Sequence, residues 1–201
     1  MSTTAFASDL PVTDLAVSES VAVTLDGGMQ FWAGLSYGAA SLVNYLVLSG
    51  RLVLPSPAMI GLVWMAASAA FVLFGVVLKV GSDPMLRLDA GHRRFRAVWL
   101  SLILGAFVVI AVLAIVLGKL TPGFNISLLT APIALSVYAV GWRVAAIMSG
   151  RRWPGLLSLG CFIGALGLAA LAGQPEQALV YTLCLVAFAV IPGLLLMLRR
   201  A

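Results

Sequence analysis

Few side chains in this 201-residue chain are equipped for chemistry, and most stand apart from one another. Arg143 is the one charged residue inside a long apolar run. An ionisable group at such a place marks a functional site or a structural pair. It lies five residues from Met148, about 7–8 Å along a helix, a distance that a guanidinium can cover to reach polar surroundings. Its acidic candidates are Asp83, Asp89 and the acids of the amino-terminal tail, since no Asp or Glu falls inside any apolar run. Tyr138 and Trp142 precede it, so Tyr138, Trp142 and Arg143 form one candidate contact region. Tyr37 and Asn44, seven residues apart, share a helical face and with Ser41 make a polar stripe. Thr130, Ser136, Tyr181 and Thr182 offer further hydroxyls. Pairs of such groups hold helices together in lipid, at about 0.6–2 kcal/mol each, and this explains most of them without a substrate path.

The remaining reactive types lack companions. His92 is the single histidine, whereas metal sites assemble three or four ligands, so no metal or cofactor is expected. Cys161 and Cys184 fall in different apolar runs. Helices laid side by side would leave their sulfurs about 10 Å apart in depth, against a Cα separation of about 7 Å or less for a disulfide. Both are expected to be free and inert. No paired carboxylates, H-E-x-x-H, G-x-S-x-G or Gly-rich phosphate loop occurs, so the chain is read as not an enzyme.

The elements that carry these residues are set by composition. The chain is 62% hydrophobic and 9% charged, with a mean hydropathy of +1.12, far from the balance of a soluble domain. Six apolar runs, about 31–48, 58–78, 97–118, 124–148, 154–172 and 178–198, each approach the length that spans a hydrocarbon core. None alternates as a barrel strand does, which predicts an all-α bundle of six transmembrane helices. Between the second and third runs lies Lys79 to Arg96, with five of the twelve basic residues, two of the seven acids and His92. Basic residues flanking spanning segments stay in the cytoplasm. With this loop inside, the inner segments hold Lys79, Arg87, Arg93, Arg94, Arg96, Arg151, Arg152, Arg199 and Arg200, and the outer loops hold only Arg51 and Lys119. The predicted topology is N-in/C-in. Trp32, Trp99, Trp142 and Trp153 fall near the inner ends, where an indole suits the interface, and Trp64 lies toward the other. The net charge of +5 is accounted for by topology and lipid headgroups, so direct nucleic-acid binding is not expected.

Residues 1–28 hold four acids and no base. Val17, Val21 and Leu25 have the spacing of a short surface helix that Gly27-Gly28 would end, although a disordered tail fits too. Gly34 and Gly38, and Gly160 and Gly164, place small residues at close-packing spacing, for contacts within the chain or for a homo-oligomer. Pro132 and Pro192 are expected to kink the fourth and sixth helices. No proline lies inside the first three runs to match them, so the paired breaks of an inverted-repeat transporter are missing.

From about Leu25 onward the chain resembles small six-helix membrane proteins of uncharacterised function found in bacteria. The resemblance rests on Gly34-Leu-Ser-Tyr-Gly38, Tyr138-Ala-Val-Gly-Trp-Arg-Val-Ala-Ala146, Arg151-Arg-Trp153 and Ile191-Pro-Gly-Leu-Leu-Leu-Met197. It brings no substrate or catalytic residue. It implies a neighbourhood of winged-helix regulators, and hence a membrane-bound regulatory role. Family members carry a more basic, aromatic amino-terminal helix than Ser8-Asp-Leu-Pro-Val-Thr13 here.

Together these readings predict a bacterial inner-membrane protein, in contact with lipids, that binds a partner at its cytoplasmic face. The acidic tail and the basic loop Lys79–Arg96 are expected to dock on each other or to hold a soluble protein such as a transcription regulator, with Arg93, Arg94 and Arg96 beside the Arg143 region as contacts. The alternative is a transporter or channel for a small neutral or weakly polar solute passing Tyr37, Asn44, Tyr138 and Arg143.

Overall fold

The computed structural model describes residues 27–56, 58–81, 90–121 and 125–198, with side chains left aside at 78–81, 90–96 and 100. The amino-terminal tail and residues 82–89 of the basic loop lie outside the described residues. Six helices account for nearly everything else: α1 (Gly27–Leu48), α2 (Ala58–Gly81), α3 (Ala90–Leu120), α4 (Ser127–Ser149), α5 (Trp153–Ala170) and α6 (Glu176–Leu198). All six are long and apolar enough to cross a membrane, and no strand occurs among the described residues.

Glycines and prolines punctuate the helices. Gly150 follows α4 with φ 64°, a left-handed conformation that lets the chain reverse into α5, whose first turn carries Pro154. The boundaries differ from expectation in two informative places. Gly27 and Gly28 open α1 instead of closing a surface helix, because a side chain at Gly27 would collide with Gly193 and Leu196 of α6. Gly193 in turn faces the backbone of Gly27 and Phe31. Two glycines therefore let α1 and α6 cross almost backbone to backbone. The second difference is α3, which begins at Ala90 although its apolar span begins at Ala97. Part of the presumed loop is thus helix.

Packing divides the bundle into a centre and two flanks. α1 lies along the whole of α6 and forms with it the most extensive pair, followed by α4 with α5. The buried cluster of Leu135, Ala139, Trp142, Ala145, Cys161, Ala165, Leu168, Tyr181, Leu185 and Leu196 fills the space between α4, α5 and α6. Gly34 and Gly38 face Ala189, Val190 and Leu185 of α6, Gly160 faces the Phe188 ring, and Gly164 faces Leu135 and Cys184. Both small-residue faces are covered within one chain. α2 packs mainly on α1, held by Trp32 stacked on Phe74 at 3.6 Å, and α3 mainly on α4. Neither flank has a deeply buried face, and α2 and α3 form no extended contact with each other among the described residues.

Candidate functional site

The two prolines explain two of the polar contacts between helices. Proline has no N–H to return to the carbonyl four residues back, and lipid cannot supply one. For Pro132 that carbonyl is Leu128 O, and it accepts a hydrogen bond from Gln177 Nε2 of α6 at 2.8 Å. For Pro192 it is Phe188 O, which accepts from Trp142 Nε1 of α4 at 2.9 Å. Each of these helices thus satisfies the carbonyl that proline frees in the other. Gln177, 8% exposed, also donates to Leu168 O at the end of α5 at 3.1 Å, tying three helices at one point. Just before Pro192, α6 widens to a π-helical turn over Val186–Val190, in which the Ile191 N–H reaches back to Val186 O. The α1–α6 seam is tied by Ser41, donating to Ala178 O at 2.8 Å, and by Thr182, whose hydroxyl lies 3.0 Å from Ala178 O and 3.3 Å from Gly38 O. Ser158 donates to Ala139 O at 2.7 Å across α4–α5.

The expected contact residues separate into three groups. Arg143 is exposed, and its guanidinium approaches Gly155 at the start of α5; it forms no ion pair among the described residues. Trp142, immediately before it, is 1% exposed and its ring packs 5.6 Å from that of Trp153. The indole is thus a core group and not an interface anchor. Tyr138 belongs to an inner aromatic group. Its ring meets Trp99 of α3 edge-on at 5.6 Å, while Tyr37 lies against Trp64 at 6.3 Å and Phe71 at 5.8 Å on α2. Asn44, half-buried further along α1, makes no hydrogen bond among the described residues. Arg93, Arg94 and Arg96 form the third group, on the first turns of α3.

Two residues went unassigned in the sequence. Gln177 sits beside Glu176 in what reads as a polar turn; the signal for it was the carbonyl that Pro132 must orphan. Tyr181, seen only as a spare hydroxyl, is 7% exposed and belongs to the central cluster. Between α1 and α2 a groove of about 270 Å³, floored by Ser36, Ala40, Val43, Ala67 and Ala70, is almost wholly apolar. The cysteines are free, as expected.

Comparison with family models, with curated proteins and with solved structures finds no match. The arrangement itself offers neutral hydrogen-bond donors, aromatic faces and exposed Arg143, Arg151 and Arg152 near one end.

Proposed function

We propose that this is a non-enzymatic multi-pass protein of the bacterial inner membrane, N-in/C-in, that binds an acidic soluble regulatory protein at its cytoplasmic face. The observation that carries the reading is the length of α3. Its 31 residues extend about 46 Å, well beyond a hydrocarbon core of about 30 Å. The surplus, Ala90 to Arg96, bears Arg93, Arg94 and Arg96 on helical backbone, with Arg143, Arg151 and Arg152 exposed at the same end of the bundle. A charge cluster held on a helix presents a fixed pattern, which serves specificity and encounter rate more than raw affinity.

The test compares the full chain in neutral-lipid nanodiscs with the triple variant Arg93→Glu/Arg94→Glu/Arg96→Glu. Cytoplasmic proteins captured by each are quantified by mass spectrometry. An acidic protein retained by the wild type and by Arg51→Glu, but lost from the triple variant, supports the reading. Identical capture by all three, or none by any, counts against it.

A further inference from the structure

We propose a second site within the membrane: Tyr37, Tyr138 and Tyr181 bind a neutral, membrane-soluble molecule whose flat ring carries carbonyl oxygens, as a quinone headgroup does. The Thr182 hydroxyl, 3.3 Å from Gly38 O, sets the neighbouring Tyr181 of α6 and Tyr37 of α1 at one level, and Tyr37 and Tyr138 both pack against the buried cluster that contains Tyr181, so α1, α4 and α6 each bring a tyrosine to that cluster. None of the three hydroxyls forms a hydrogen bond among the described residues. Tyr181 is only 7% exposed, yet its oxygen is not among the sealed polar atoms, so the accessible remnant of the side chain includes the hydroxyl. Elsewhere in the bundle the polar side chains of Ser41, Ser158, Gln177 and Thr182 all find carbonyl acceptors. A donor left over in an apolar interior is costly unless something else accepts from it.

The surroundings specify what that acceptor is. Trp64 and Phe71 flank Tyr37 on the α2 side, and Trp99 flanks Tyr138 on the α3 side. Trp64, Trp99, Tyr37 and Tyr138 all pack against the cluster that contains Tyr181. Aromatic walls favour a flat ring. The one charged residue among the described helix interiors, Arg143, is exposed near the basic end, so no counter-charge awaits an ionic headgroup. Phenolic donors select carbonyl or ether oxygens. Because α2 and α3 each lean on a different neighbour, such a molecule enters from the bilayer between them, without crossing a polar loop. The step is binding alone, with no bond made or broken.

The experiment titrates the purified full chain in nanodiscs with decylubiquinone, read by tryptophan quenching, and uses decylbenzene as the partitioning control. Saturable quenching is expected with decylubiquinone only. Tyr181→Phe and Tyr138→Phe should each weaken it about fivefold or more, the loss of one hydrogen bond, while Tyr45→Phe leaves it unchanged. Quenching that matches decylbenzene, or saturable quenching untouched by the triple Tyr37→Phe/Tyr138→Phe/Tyr181→Phe variant, overturns the proposal. Should a variant melt early, the wild type still decides: a melting temperature raised by decylubiquinone and not by decylbenzene supports the site, and no rise refutes it. The site is independent of the cytoplasmic partner, since the triple arginine variant should bind decylubiquinone as the wild type does.

Discussion

A proline inside a spanning helix leaves a carbonyl that lipid cannot satisfy, and Gln177 and Trp142 answer the two that arise here. Their substitution has a specific signature. Gln177→Leu removes the side-chain donor of both Leu128 O and Leu168 O, and should destabilise the bundle by about 1–3 kcal/mol in a reversible detergent unfolding titration. In a Pro132→Ala background the restored N–H can return to Leu128 O, so the same substitution should cost about 1 kcal/mol less. Trp142→Phe and Pro192→Ala form the matching cycle around Phe188 O. If either cycle is additive, the side chain is a packing group and the hydrogen bond matters little. Arg143 presents the opposite case. It is exposed and without an ion pair among the described residues, so Arg143→Gln should leave the unfolding midpoint within about 0.5 kcal/mol of the wild type.

At the scale of elements, backbone proximity ranks the glycines. A Cβ at Gly193 meets only backbone atoms of Gly27 and Phe31, which cannot swing aside. At Gly160 it meets the edge of the Phe188 ring, which can yield in part, and at Gly61 and Gly105 it meets open space. Alanine scanning read by thermal melting should therefore place Gly193→Ala as the most damaging, at about 1–3 kcal/mol, with Gly160→Ala intermediate. Gly61→Ala and Gly105→Ala should be neutral or slightly stabilising, since alanine is the better helix former. A flat series would mean that α1 and α6 do not cross closely. The same contrast shows why the sequence was informative about some features and silent about others. Apolar run length is a one-dimensional property, so six helices were legible, and so was the close packing latent in Gly34 and Gly38. Which helix covers which face depends on three-dimensional placement. Gly27-Gly28 looked like a terminator because its partner, Gly193, is distant in sequence. Trp142 looked like an interface anchor because its acceptor, the Phe188 carbonyl, is created by a proline on another helix.

At the scale of the whole molecule, a well-packed centre of α1, α4, α5 and α6 carries two lightly held flanks, α2 and α3. The aromatic residues of both flanks meet the central tyrosines, and α3 also carries the basic extension proposed to meet a partner. This architecture has one meaning only if the basic end faces the cytoplasm. In the proposed topology the α1–α2 and α5–α6 turns lie outside and the α4–α5 turn inside. Single cysteines at Ser56 and Gln174 should react with a membrane-impermeant maleimide in intact cells, whereas Gly150→Cys should react only after permeabilisation. Cys161 is buried and Cys184 partly so, which keeps the native background low. Labelling of Gly150→Cys from outside, or of Ser56→Cys only after permeabilisation, would invert the molecule. The basic extension of α3 would then face away from every soluble regulator in the cell, and the partner-binding reading would fall, while the tyrosine site at mid-membrane would be untouched.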